Sequence, residues 1–430
     1  MLSLTIHPDG RYLQTADGKP FFWLGDTAWE LFHRLTLEET RLYFHTRKQQ
    51  GFTVIQAAAL AELDGLQTPN AYGRYPLKKN QNGMFDPMLP DTDSNHSYWD
   101  HVEDVLALAN KMGLYIALLP TWGDKISICD GIGPEIFTPE NSAFFGQWIA
   151  RRFGQRPNLI WVMGGDRRPE TPVHFQCINN MADAIKSSDS MKHLMTMHPN
   201  GEASSSQFFP HAPWLDFHMI QSSHGRLHMP NYQMLEEDYK RSPIKPVLDA
   251  EPLYEDIPIN YKPENGYSDD WDVRRAAYWA VFSGAFGHTY GHHAIWQMNR
   301  EGSEYCPLTW TEALYRPGGT QMQHLKHLIE SKPFFERIPD QTLVFHQYSG
   351  ANHIAATRGR NYAMIYSPCG LPISVKCGIL DQSSLHAAWF DPKTGTIESI
   401  GCFENKNVHT FIPAKKGRGH DIVLLLESVR

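Results

Sequence analysis

Eight times between Phe21 and about Ile329, a short apolar run passes into a loop carrying Gly, Asp, His or Trp and then into an amphipathic stretch. The runs start at Phe21 (FFWLGDTAW), Phe52 (FTVIQAAAL), Leu114 (LYIALLPTW), Leu159 (LIWVMGGD), Leu194 (LMTMHPN), Phe217 (FHMIQSSH), Lys245 (KPVLDAEP) and His288 (HTYGHHAIW). Between them, periodicity and capping residues predict helices over 37–50, 98–112, 139–153, 172–187, 232–240, 269–286 and 319–330. Strands joined through helices run parallel and are covered by their crossovers. Eight such units in succession point to an α/β fold, a (β/α)8 TIM barrel. A doubly wound open sheet is the alternative, but no Gly-x-Gly-x-x-Gly opens a helix after the first strand. Residues 201–215 show little helical periodicity, so the step from the fifth strand to the sixth is the least regular.

After Lys332-Pro333 the texture changes to short β-rich runs: TLVFHQ, HIAATRG, NYAMIYSP, LPISVKCG, HAAWFDP, TGTIESI, VHTFIP and DIVLLLES. Gly, Pro, Asn and Asp separate them, and Phe390-Asp391-Pro392-Lys393-Thr394-Gly395 has the composition of a hairpin turn. The chain therefore divides into a barrel with a short N-terminal β extension over residues 1–332 and a small antiparallel β-sandwich over 333–430. With 41% hydrophobic and 20% charged residues it has ample material for a large core.

A net charge of -8 and the lack of a dense Lys/Arg run disfavour nucleic acid as a partner. No apolar stretch is long enough to cross a membrane, and Met1-Leu2-Ser3-Leu4-Thr5-Ile6-His7 does not read as a secretory leader. The expectation is a soluble cytoplasmic protein, or a secreted or periplasmic one if a leader has been trimmed. The six cysteines form no Cys-x-x-Cys pair and read as free, buried thiols. The twelve Trp suit a core, and also the apolar faces of sugar rings.

In a barrel of this kind, function sits at the C-terminal ends of the strands, where loops vary freely while the opposite face holds the fold. The polar residues ending the eight runs are Asp26 and Trp29, then Glu62, Trp122 and Asp124, Asp166, His198, His224, Glu251, and finally His292, His293 and Trp296. Asp166 follows two glycines and either presents a free carboxylate, caps the next helix or pairs with Arg168. In Val247-Leu248-Asp249-Ala250-Glu251 a period of two puts both acids on one face. If that face lines the barrel, Glu251 stands at its mouth and Asp249 one layer deeper. The plainer reading, a buried pair with Arg or Lys, fits Asp249 better. Two carboxyls at facing strand ends are what glycosidic cleavage requires: one protonates the departing oxygen, and the other attacks the anomeric carbon or activates water.

Placement on strands four and seven resembles the retaining barrel glycosidases, which implies Asp166 as acid/base and Glu251 as nucleophile, about 5 to 5.5 Å apart. The ordered series Leu24-Gly25-Asp26-Thr27-Ala28-Trp29, Gly164-Gly165-Asp166-Arg167, Met219-Ile220-Gln221-Ser222-Ser223-His224, Asp249-Ala250-Glu251-Pro252 and Tyr290-Gly291-His292-His293-Ala294-Ile295-Trp296-Gln297 resembles the apiosidase-like glycoside hydrolase family. The trailing module resembles the collagen-binding-like domain that follows it there. The resemblance implies release of a furanosyl sugar such as apiose from a plant pectin-type glycoside. One departure from the wider superfamily is that the strand-four acid is Asp after Gly, where Glu after Asn is common; a shorter acid suits a smaller, five-membered ring.

Asp26 and Trp29 are expected to shape the pocket wall with Trp122, and Trp296 to form a platform beneath the sugar. His198 and His224 either orient the carboxylates, bind hydroxyls or simply pack loops. His292 and His293 suit sugar hydrogen bonding; a metal built on them and His288 is disfavoured because no His-Glu-x-x-His accompanies them. The expectation is thus a cofactor-free, metal-free retaining glycosidase with a carbohydrate substrate. The alternatives are another furanosidase or pyranosidase of the same clan, or a carbohydrate-binding protein without catalysis.

Overall fold

The computed structural model describes residues 1–129 and 131–429. Each of the eight apolar runs forms a strand shorter than itself: β1 Trp23–Thr27, β2 Val54–Ala58, β3 Tyr115–Leu119, β4 Leu159–Gly164, β5 Met195–His198, β6 His218–Gln221, β7 Val247–Asp249 and β8 Gly287–Tyr290. Six of them form one curled parallel sheet in the order β5-β4-β3-β2-β1-β8. β6 and β7 pair in parallel in a second sheet, with the two-residue strand Ala203–Ser204 on its edge.

The two sheets touch at both seams. Between β5 and β6, Asp216 N donates to Met195 O at 2.8 Å and Thr196 Oγ1 to Phe217 O at 2.7 Å. Between β7 and β8, Phe286 N donates to Val247 O at 3.1 Å. The regular ladder stops at these seams. At the first, the link from β5 to β6 holds only the single helical turn Ser205–Phe208 in place of a crossover helix; at the second, β7 is only three residues long.

Seven longer helices cover the sheets: α1 Leu37–Gln49, α2 Tyr98–Met112, α3 Pro139–Phe153, α4 Pro172–Ser188, α5 Asn231–Tyr239, α6 Asp270–Phe282 and α7 Pro317–Glu330. Their starts follow capping chemistry, with reciprocal boxes at Thr36/Glu39, Ser97/Asp100, Thr138/Asn141 and Asp269/Asp272. The helix expected over 269–286 stops at Phe282. Gly284 takes φ 111°, and a Cβ there would sit 2.5 Å from the Tyr239 ring.

Strand side chains alternate between two layers. Val54, Ala58, Ala117, Leu119, Ile160, Val162, Met219, Leu248 and Ala250 share an interior cluster with Trp23, while Ile55, Ala57, Ile116, Leu118, Trp161 and Met163 pack with the helices. Gln56 spans the interior, its Nε2 donating to Ala250 O at 2.9 Å. Val247 packs with Leu235 of α5 and Ala280 of α6, so the Val247/Asp249 face turns toward the helices and Leu248/Ala250 turn inward. Of the two readings of Asp249, a layer of the barrel lining or a buried structural acid, this orientation favours the second.

The C-terminal region is antiparallel. Its strands are β9 Ala355–Arg358, β10 Tyr362–Ser367, β11 Ile373–Lys376, β12 Ser384–Phe390, β13 Ile397–Glu404, β14 Val408–Phe411 and β15 Ile422–Ser428. One sheet runs from the short strand Ile338–Pro339 through β9-β10-β15-β12-β13, and β11-β14 form a separate ribbon. The run TLVFHQ is not a strand: Gln341–Leu343 form a turn of 3-10 helix, and only Val344 makes a β-bridge, to Val375. The turn at residues 391–396 joins β12 to β13, with Gly395 N donating to Asp391 O at 2.8 Å. Of the cysteines, all free, only Cys177 and Cys306 are buried and Cys402 is exposed, so the expectation of buried thiols holds for two. Among the described residues no helix is long and apolar enough to cross a membrane.

α6 joins the two regions. Every residue from Trp271 to Phe282 is buried, because one side of the helix meets the parallel sheets and the other meets β9, β10 and β15. Tyr278 stacks on Tyr366 at 4.8 Å, and Trp279 Nε1 donates to His353 O at 2.9 Å. Arg274 grips Asp421 in a buried bidentate pair, Nε to Oδ2 at 3.0 Å and Nη2 to Oδ1 at 2.8 Å. Removing one member of such a pair strands a buried charge. Arg274→Met should therefore lower unfolding free energy in urea by about 3–5 kcal/mol, and Arg274→Met/Asp421→Leu should recover most of that loss. A single-variant loss below about 1 kcal/mol, the range of an exposed pair, would show that the pair does not hold the regions together.

Candidate active site

The site starts from the way β4 ends. Gly164 and Gly165 take φ 78° and 130°, and Asp166 follows at φ 51°. A Cβ on Gly164 would meet His198 O at 2.5 Å, and one on Gly165 would meet Gly123 N at 2.9 Å, so both steric contact and backbone angle require glycine. A left-handed aspartate costs about 1 kcal/mol or more, which the contacts around it must hold in place. The arc delivers Asp166 to a cavity of about 310 Å³, also lined by Trp29, Glu62, Trp122, Gln221, Ser223, His224, Glu251, Tyr254, Ile257, Tyr261, His293, Trp296 and Tyr305. A larger hollow of about 660 Å³ lies beside the hairpin of Leu77–Lys79 and Phe85–Pro90, but none of the eight strand ends lines it.

Glu251 stands two residues beyond β7, where the chain has bent and the strand period no longer applies. Its Oε1 accepts from Tyr254 Oη at 2.6 Å and from His224 Nε2 at 3.0 Å. His198 Nε2 lies 2.9 Å from Oε2, an ion-pair contact too bent for a formed hydrogen bond. Burial alone would raise this carboxyl, but His198 and His224 outweigh it and hold Glu251 well below the usual carboxylate range.

Asp166 is pushed the other way. Its side chain keeps 28% exposure, yet burial of the carboxyl and the charge of Glu251 raise it, against the pull of Arg167 and Gln221. Arg167 Nη1 donates both to the Asp166 carboxylate and, at 2.7 Å, to its backbone carbonyl. His198 serves both acids. Its Nδ1 is 3.3 Å from the Asp166 amide nitrogen and 2.9 Å from Pro199 O, so a neutral ring protonated on Nε2 accepts from the amide and an imidazolium donates to the carbonyl.

Of the residues singled out in the sequence, Asp166, Glu251, Trp29, Glu62, Trp122, His224, His293 and Trp296 line this cavity. His198 lies behind it, against Glu251. Asp26 does not reach it. Its side chain points to α1, where Oδ2 accepts from Tyr43 Oη at 2.5 Å and Arg47 Nε at 2.6 Å, both buried. His292 is also turned away, bonded through Nε2 to Asp256 at 3.0 Å while its Nδ1 caps Ala294 N. Among the described residues Asp249 pairs with neither Arg nor Lys; it accepts from Ser222 Oγ at 2.8 Å and Asn231 Nδ2 at 2.9 Å, and burial raises it to about 6. Tyr254, Gln221, Ser223, Tyr261 and Tyr305 were not anticipated. Several buried polar atoms of the lining residues lack a protein partner, among them Trp29 Nε1, Trp122 Nε1, Gln221 Oε1 and His293 Nε2. Such a set, beside flat indole faces, is the complement of a ring bearing hydroxyls.

The family model "Apiosidase-like, catalytic domain" matches residues 7–336. The chain belongs to the apiosidase-like family. A second model, "Putative collagen-binding domain of a collagenase", matches residues 338–427. A solved structure titled "Glycoside hydrolase" shares 35% identity with this apiosidase-like chain at a TM-score of 0.90, covering 99% of this chain and 97% of that one. A glycoside hydrolase family 5 structure from Bacteroides vulgatus shares 32% at 0.89, covering 99% and 94%. A structure from the same organism titled "putative glycoside hydrolase", 14% identical at 0.72, shares the fold. No curated protein matches. The apiosidase-like chain is thus glycoside hydrolase-like over its whole length.

The Tyr254 hydroxyl is the shortest of the donors to Glu251, and its loss removes support for the charged form only. In Tyr254→Phe the Glu251 carboxyl signal, followed by 13C NMR, should titrate at a higher pH than in the wild type. An unmoved titration would mean that the two histidines alone keep Glu251 ionised.

Proposed function

We propose that the protein is a retaining glycosidase, with Glu251 as nucleophile and Asp166 as acid/base, that releases a furanosyl sugar, apiose or a close relative, from a plant-type glycoside. The observation that carries this reading is that two carboxyl groups facing one cavity are pushed in opposite directions. Environments that separate two carboxyl pKa values let one site hold an ionised nucleophile and a protonated acid at the same pH. Glu251 attacks the anomeric carbon as Asp166 gives its proton to the departing glycosidic oxygen, leaving a glycosyl ester. Asp166, now a carboxylate beside Arg167, then takes a proton from the water that attacks the same carbon and frees Glu251.

The cavity, about 310 Å³, is at the floor of the ~300–1,000 Å³ range of small-molecule sites. This favours one sugar residue at a time, and hence exo action. A short acid carried on a left-handed arc suits a small ring, because the backbone itself approaches the sugar. In this reading the eight strands close a (β/α)8 barrel within residues 1–332, supported by the hydrogen bonds at both seams, and residues 333–430 form a sandwich. The sandwich serves structure, as the burial of α6 against it supports.

Glu251→Gln should abolish turnover of every substrate, because glycosylation needs it regardless of leaving group. Asp166→Asn should lose most activity on natural glycosides, yet glycosylate rapidly with a dinitrophenyl glycoside, whose leaving group needs no proton. Azide should then accelerate turnover and give a glycosyl azide of retained configuration; an inverted product would refute the mechanism. Because Asp166 must be protonated and its pKa is raised, wild-type kcat/KM should fall as pH rises through that pKa. With the activated substrate this basic limb should vanish in Asp166→Asn. Aryl apiosides should be hydrolysed faster than aryl glucopyranosides; the reverse order would move the protein to the pyranosidases.

A further inference from the structure

A third carboxyl group faces the cavity, and the double displacement leaves it unused. Glu62 lies on the loop after β2, its side chain 15% exposed. Its Oε1 is 3.4 Å from Nη2 of Arg167, whose Nη1 holds Asp166. One guanidinium therefore straps Glu62 to the acid. Its other oxygen makes no hydrogen bond among the described residues. The charges facing it are Asp166 and Arg167 after β4, Glu30 after β1 and Glu251 after β7. Burial, then the Asp166 charge, push it up to about 8, so near neutral pH it holds a proton. Arg167 bonds Glu62 through one amino group and Asp166 through the other, which places Glu62 on the acid's side of the cavity.

What lies on that side follows from the chemistry. The acid delivers its proton to the departing oxygen, so the group next to the acid meets the leaving group and not the sugar held over Glu251. We propose that Glu62, held by Arg167, forms a leaving-group subsite and hydrogen-bonds a hydroxyl of a sugar or polyol aglycone. This rests on the assignment of Asp166 as the acid. A protonated carboxyl both donates and accepts, as a hydroxyl does, and discriminates against a leaving group that has no hydroxyl to offer.

The test compares the full-length wild type, Glu62→Leu and Glu62→Gln on a disaccharide and on the methyl glycoside of the same furanosyl sugar. Glu62→Leu should lower kcat/KM for the disaccharide about tenfold more than for the methyl glycoside, mainly through KM, and Glu62→Gln should recover part of that preference. Equal losses on both substrates would make Glu62 a mere prop for Arg167 and overturn the proposal. A second measurement does not depend on the Leu variant folding. The wild-type preference for the disaccharide should fall as pH passes about 8, where Glu62 loses its donor, and stay flat in Glu62→Gln. An equally flat wild type would also overturn it. A wild type that hydrolyses neither substrate would overturn the furanosidase reading, and this subsite with it.

Discussion

A negative charge placed in a buried pocket must be met by donors from several directions, and the functional end of this molecule is arranged around that need. Glu251 is met from the end of β5 by the His198 ring, and takes hydrogen bonds from the loop after β6 and from its own loop, through His224 and Tyr254. None of these would help if the strands carrying them stood an ångström apart from where they do. His198 sets the second acid as well. Its carbonyl lies where a Cβ on Gly164 would be, and its ring reaches the Asp166 amide, so one residue fixes both carboxyl groups.

Much of this architecture is legible in the chain. The eight strands and seven long helices sit where the apolar runs and capping residues place them, because periodicity and end chemistry are local. The seams are not local. The irregular step at 201–215 does show as missing helical periodicity, but whether the ladder continues past β5 and β7 depends on how the 199–217 link and a three-residue strand settle against their neighbours, which no local pattern records.

The site is legible in the same uneven way. A period of two tells which residues share a face, but not which face turns inward when both are apolar. The pattern therefore leaves the direction of Asp249 open, and it proves to be a buried structural acid bonded to Ser222 and Asn231, while Asp26, expected at the pocket wall, turns instead to α1. Glu251 fared better because it lies past the strand, where a bend and not the pleat decides its direction. Tyr254 and Glu62 stand on loops, which carry no period, and only assembly shows what they touch. Likewise, Trp271–Phe282 carries Asp272, Arg274 and Arg275 among its apolar residues, so the enclosure of α6 on all sides does not show in the pattern and becomes visible only once those charges find Asp421 and each other.

That enclosure has a consequence for how the protein is made. Arg274 is separated from Asp421 by 147 residues, and Tyr278 finds Tyr366 only after β10 exists. During synthesis at roughly 5–20 residues per second, α6 is therefore out of the ribosome for several seconds or more before its second surface arrives. Over that interval its outer tryptophan, tyrosine and arginine face water or whatever else is at hand. The nascent chain passes through a stage in which its sheets can form while their outer helix is still open, and this is where it is most exposed to aggregation or to chaperone capture.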